Sequence, residues 1–328
     1  MSRHSKLFFD FDAALAHLQD EAAALSPAAL SALSGASPSD LATFRQVLSR
    51  LPVSRRRRAS QMLIELAEEN LELDFNALFR SLLDDGDAEV RAYGIAGLWE
   101  DEDPALAKTF MGLLRNDPAA GVRAEAADAL GRFVLLVEYG RIKSTQAELI
   151  HDALLATFHN DAEEIGVRCR AVESLAYSSQ PGVRDVIATA YADDDPRMCA
   201  SAVLAMGRSA DAYWRHRVED ELESPEPCIR FEAARAAGEL EDRDAVPRLI
   251  ELLDDADREV ASAAITALGQ IGGKSARQAL ARAATSDDEM LSTLADEALQ
   301  ELEFAGDADL VLMDVEGDTP ETVGEDEE

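Results

Sequence analysis

Apolar residues return along this chain three and four positions apart, the spacing of one face of an α-helix. One apolar position serves as an anchor: Val90, Val122, Val167, Met198, Ile229, Val260 and Leu291. Their separations are 32, 45, 31, 31, 31 and 31 residues. Four places on stands a small residue in every copy: Gly94, Ala126, Ala171, Ala202, Ala233, Ala264 and Ala295. Eight places on come Leu98, Leu130, Leu175, Met206, Ala237, Leu268 and Leu299. The following position is glycine in four copies, Gly131, Gly207, Gly238 and Gly269. The anchor, +4 and +8 share one helix face, and the small +4 residue lets a neighbouring helix approach closely. The +9 glycine is expected to end the helix as a C-terminal cap.

A second apolar run of helical period precedes each anchor, such as Leu249, Ile250, Leu252 and Leu253. An acidic turn joins the two runs, as at Asp84–Asp87, Asp117, Asp193–Asp195 and Asp254–Asp257. Carboxylates there accept hydrogen bonds from the unpaired N–H groups that open the next helix and complement its dipole. Each unit therefore reads as helix A, acidic turn, helix B. No alternation of period two competes. The expected fold is all-α, an α-α superhelix of about seven or eight helix pairs.

The motif Val-Arg-x-x-Ala-x-x-Ala-Leu-Gly behind an acidic turn, cleanest at residues 117–131 and 254–269, resembles the short HEAT repeat of phycobilin-lyase-like proteins. The resemblance covers about residues 75–303. It implies a solenoid, and for most members of such a family a binding scaffold. It also brings in one enzymatic alternative, attachment or removal of a bilin on an antenna protein. Residues 1–40, with Phe8, Phe9, Phe11, Leu15 and Leu18, read as a helical cap, and residues 41–70 as a divergent first pair. The solenoid then runs from 41 to 303. From 304 to 328 the chain reads as an acidic tail, with ten acids and no bases after residue 305.

Departures from the repeat are the candidate contact points. The 45-residue interval predicts an extended helix pair near 131–159, with Ser144 to Glu148 as a capping box opening its second helix. Phe133, Leu136, Val137 and Tyr139 on that pair either cover one another or form an exposed apolar contact. Arg55, Arg56, Arg57 and Arg58 either pair with nearby acids or meet a phosphate, nucleic acid or acidic peptide. Leu310 and Leu312 lie in the acidic tail, as a solvated end or a docking motif. The arginine after the anchor (Arg91, Arg123, Arg168, Arg230) is expected to reach the acidic turn of an adjacent layer, most strongly in the first half, since Cys199, Ala261 and Ser292 replace it later.

Charge narrows the function. The 328 residues carry 65 acids against 31 bases, a net charge of −34, and only four of the bases are lysine. Such a balance argues against nucleic-acid binding, which needs a surplus of Lys and Arg, and favours a cationic protein partner. No apolar run approaches the ~20 residues of a membrane span. Three cysteines without a C-x-x-C spacing, Cys169, Cys199 and Cys228, fit buried or partly buried thiols in a reducing cytoplasm. HEAT-like arrays include a di-iron hydroxylase family built on His-Glu dipeptides. The five histidines here precede Ser5, Leu18, Asp152, Asn160 and Arg217, so that pattern is missing. Phosphate-binding glycine loops and nucleophile elbows are missing too. The resulting expectation is a non-catalytic cytoplasmic scaffold for another protein, with no metal or cofactor. Bilin handling, and nucleic-acid or phosphate binding through Arg55–Arg58, are the alternatives.

Overall fold

The structure, a computed structural model, describes residues 9–316, excepting the side chains of Ser144 and of residues 305–316. It is an all-helical solenoid with no strand among the described residues, and the chain divides into two compact units, Met1–Gln180 and Pro181–Glu328.

The first unit holds α1 (Phe11–Gln19), α2 (Pro27–Ser31), α3 (Pro38–Leu48), α4 (Val53–Glu69), α5 (Asn76–Leu82), α6 (Ala88–Ala96), α7 (Pro104–Asn116), α8 (Ala120–Glu138), α9 (Ser144–Phe158) and α10 (Ile165–Leu175). Helices α4, α6, α8 and α10 stack in succession as B helices, with α2 against α4. On the A side α3 meets α1 and α5, and α7 meets α9. Leu15 and Leu18 of α1 are buried; Phe8 lies outside the described residues.

The second unit holds α11 (Val183–Tyr191), α12 (Pro196–Arg208), α13 (Arg215–Glu221), α14 (Pro227–Glu239), α15 (Val246–Glu251), α16 (Arg258–Ile271), α17 (Gly273–Ala283) and α18 (Glu289–Glu316). Its B helices α12, α14, α16 and α18 stack in that order. Helix α18 runs past residue 303, so the boundary drawn there from composition falls inside a helix.

The anchor, +4 and +8 columns are the core. Val90, Met198, Ala126, Ala171, Ala202, Ala233, Ala264, Leu98, Leu130 and Leu268 have no exposed surface. Each leucine buried in this way contributes about 1.5–3 kcal/mol. Acidic turns cap α6, α12 and α16, where Asp87 accepts from the amide of Val90, Asp195 from Arg197 and Asp257 from Glu259; α8, α10 and α14 have no side-chain cap, and Asp117 accepts instead from the amide of Ala119, the N-cap residue of α8.

The +9 glycines correct the sequence reading. Gly131, Gly207, Gly238 and Gly269 lie inside α8, α12, α14 and α16, and none has positive φ. They are contact points between layers. A methyl group on Gly207 would stand 2.6 Å from Cα of Ala236, and one on Gly238 would stand 3.1 Å from Cα of Ala267. Facing them is a column of small residues at +7: Ser174, Ala236, Ala267 and Ala298. Ser174 also ties the layers together by donating to the Ala127 carbonyl at 2.8 Å.

Helix ends use other devices. Tyr139 closes α8, and Gly140 at φ +70° follows; the amides of Gly140 and Arg141 donate to the Val137 and Leu136 carbonyls. This pairing is a Schellman motif, which needs the left-handed conformation that glycine adopts freely. Helix α9 starts at Ser144 with Lys143 as N-cap, so Ser144 is its first helical residue and not a cap.

Candidate functional site

The repeated arginine joins successive layers. Arg91 donates Nε and Nη2 to Asp117 at 2.8 Å each and Nη1 to the Asp85 carbonyl of its own turn. Arg123 does the same between Glu163 (2.9 and 2.6 Å) and the Asp117 carbonyl. Arg230 does so between Asp255 (2.7 and 2.9 Å) and the Ser224 carbonyl. Forked guanidinium–carboxylate pairs of this kind are strong and directional. Hydrogen bonds from Arg123 and Arg230 hold the Glu163 and Asp255 carboxyls below the usual carboxylate range. Arg168 departs from the series: it donates to the Phe158 carbonyl and lies 3.7 Å from Asp161, both in its own pair. In the second half Arg258, two residues before its anchor, supplies the missing rung by pairing with Asp288. The ladder is therefore not confined to the first half.

The four-arginine run serves the same architecture. Arg55 donates to the carbonyls of His17, Leu18 and Ala23, satisfying the open end of α1. Arg56 repeats the ladder geometry, from the Leu51 carbonyl to Asp85. Arg57 grips Asp87 at 2.9 and 2.7 Å, and this bond lowers the Asp87 pKa to about 2. Arg58 meets Gln61 and Glu65. A helix spreads four consecutive side chains around its circumference, so each finds a different intramolecular acceptor.

On the long helix, Phe133 is fully buried against Phe110, ring centroids 6.0 Å apart, and Leu136 is buried too. Val137 is half-buried, and Tyr139 alone of the four is exposed, at 70%. Of the two readings, the local core takes Phe133 and Leu136. Leu310 and Leu312 lie on the backbone of α18, and their side chains are outside the described residues. Cys169 is buried and Cys199 half-buried, where burial raises its thiol to about 11. Cys228 is exposed, against the expectation of a covered thiol.

Other features were not legible beforehand. Between α7 and α9 runs a groove of about 540 Å3, with Met111 and Leu149 as apolar lining and Lys108 and Arg115 at its sides. In the second unit, Arg235 of α14 lies over Phe231 and pairs with Glu232 at 3.0 Å. In the first, Arg170 of α10 pairs with Glu173 at 2.6 Å, near the exposed Glu125 and Asp128 of α8. These charges occupy +3 and +6 of the B helices, where Glu125, Asp128 and Arg170 are exposed, Glu232 and Arg235 half-buried and Glu173 buried. No helix of the described residues is long and apolar enough to cross a membrane.

No curated protein is matched by sequence. Among solved structures, the chain is similar to the CpcE–CpcF complex of phycocyanin lyase from Nostoc sp. PCC7120, at 19% identity over 69% of this chain and 87% of that one, TM-score 0.48. It is also similar to Kap95p bound to RanGDP (14%, 89% and 45%, TM-score 0.45) and to human deoxyhypusine hydroxylase (17%, 81% and 96%, TM-score 0.36). Residues 76–146 and 217–300 match the HEAT-repeat family. With the helix pairs, the layered small-residue contacts and the arginine rungs in place, these two segments are HEAT repeats, and the fold that carries them is a HEAT-like solenoid of helix pairs.

Proposed function

We propose that this protein is a non-catalytic scaffold that binds another protein through exposed carboxylates of its B helices, Glu125 and Asp128 of α8 among them, and that the partner's matching surface is cationic. The observation that carries this reading is where the positive charge goes. Arg55, Arg56, Arg57, Arg91, Arg123, Arg230 and Arg258 are engaged with carbonyls and carboxylates of the fold itself. A chain of net charge −34 that commits these guanidiniums internally presents carboxylates outward, Glu125 and Asp128 among them. Such a surface steers cationic partners and repels polyanions.

Affinity copurification of the full-length protein from its native source, with an absorption spectrum of the product, tests this. A stoichiometric protein complex that weakens at least tenfold between 50 and 500 mM salt (roughly the screening expected of exposed charges) supports the reading. The double charge reversal Glu125→Lys, Asp128→Lys is expected to weaken it by a similar factor. A copurifying chromophore, or turnover of a bilin-bearing substrate, overturns it in favour of the lyase alternative.

A further inference from the structure

Helix α17 inverts the charge of its surroundings. In a chain of 65 acids and 31 bases it carries Lys274, Arg277 and Arg282 and no acid. All three are exposed. Other arginines of the second unit sit in ion pairs, Arg184, Arg230, Arg248 and Arg258 among them. Among the described residues none of the three on α17 has a carboxylate partner, and Arg277 donates to the Leu302 carbonyl at 3.0 Å. Acids of the adjoining α18, from Glu289 to Glu303, make no pair with them. Asp254, which shares a cleft of about 330 Å3 with Arg282, leaves it unpaired as well. Like charges three residues apart on a helix, as at Lys274 and Arg277, repel one another, so an anionic occupant of this face relieves a cost.

An acidic segment of this same chain is within reach. Helices α17 and α18 run antiparallel: Ser292 donates to the Ala284 carbonyl at one end, and Leu302 lies against Gly272 at the other. From Leu302 to Glu316, α18 continues past the start of α17 by about 20 Å, at about 1.5 Å per residue. Residues 317–328, which lie outside the described residues, can span up to about 40 Å. Half of that length returns to Lys274, and the remainder exceeds the ~16 Å of α17. The last four residues, Glu325, Asp326, Glu327 and Glu328, are all acidic, and residues 317–328 hold no base. Each exposed ion pair is weak, but a short tether supplies an effective concentration in the millimolar range. The dipole of α17, whose start has no side-chain cap, adds to the attraction.

We propose that residues 317–328 return to α17 and that Glu325–Glu328 occupy the face carrying Lys274, Arg277 and Arg282. Lysine is scarce enough to report on this: Lys274 is the single lysine of the second unit, and Lys6, Lys108 and Lys143 belong to the first. Carbodiimide coupling joins a lysine amine to a carboxylate in contact with it, and peptide mass spectrometry of the full-length protein identifies both ends. In the monomer at low salt, Lys274 is expected to join Glu325–Glu328 about tenfold more often than Lys108 or Lys143 does, as a short tether dictates. The yield should fall about threefold at 500 mM salt, which screens exposed charges. Arg282→Glu keeps the reporting lysine and removes a side chain that bonds no described residue, so it leaves the fold intact. It should lower the yield by a similar factor. Absence of the Lys274 link, equal coupling of all three lysines, or a yield indifferent to salt or to Arg282→Glu overturns the proposal. So does a Lys274 link found only in cross-linked dimers, which assigns the face to the tail of a second copy.

Discussion

Replacing a glycine inside a helix by alanine ordinarily stabilises it by about 1 kcal/mol, and in this protein the sign depends on which glycine is chosen. Gly112 sits within α7 with nothing within 4 Å of where a Cβ would be. Gly112→Ala is expected to raise stability by up to about 1 kcal/mol in denaturant titration. At Gly207 the added methyl meets backbone of α14 that cannot rotate away. Gly207→Ala should instead cost about 1–3 kcal/mol by overpacking. Ala210, just past α12, holds φ +49° without being glycine. A left-handed alanine costs about 1–2 kcal/mol, partly offset in Ala210→Gly by the greater freedom of the unfolded glycine. A net gain of about 0.5 kcal/mol, read as a higher melting temperature, is expected there.

At the scale of elements, the arginine rungs join one helix pair to the next, and their energetics depend on pH. Asp87, Glu163 and Asp255 are held below their ordinary pKa by hydrogen bonds from Arg57, Arg123 and Arg230. Depressed carboxylates favour the folded state fully above the unfolded value of about 4. That contribution is lost as pH falls through the folded values, about 2 for Asp87. Stability should thus decline between about pH 4 and pH 2, and Asp255→Asn should blunt the decline; a pH series of melting curves for both proteins checks it. Arg91→Ala removes a two-pronged pair from Asp117, which is buried and also accepts from the amide of Ala119, the residue before α8. A loss of about 2 kcal/mol is expected, as for hydrogen bonds to charged groups. Arg168, whose contacts stay within its own pair, offers the comparison: Arg168→Ala should cost less.

For the molecule as a whole, each unit is a series of layers in which a B helix touches mainly the layers before and after it. Stability then behaves as a sum of layers and interfaces. Ala202 lies in α12 with no exposed surface. Ala202→Leu is expected to cost about 1–3 kcal/mol. Hydrogen exchange should show the loss of protection concentrated in α12 and α14 and fading towards α18. Uniform loss through the second unit would mean that it unfolds as one block and not by layers.

The repeat, the fold class and the identity of the core were legible in the linear chain. A helix maps residues three and four apart onto one face, so Val260, Ala264 and Leu268 announce their burial by spacing alone. The same reasoning placed Asp87 and Asp257 at helix starts and aimed Arg91 at a neighbouring turn. Gly207 and Gly238 were misread because glycine is favoured both past a helix end and where two backbones nearly touch, and only the second helix in place separates these uses. Tertiary structure alone also distinguished Phe133, buried on Phe110, from exposed Tyr139 six residues later. Local spacing carries the information that a single helix needs. Which acceptor a long arginine reaches depends on atoms some thirty residues away along the chain, and that is decided only when the layers stack.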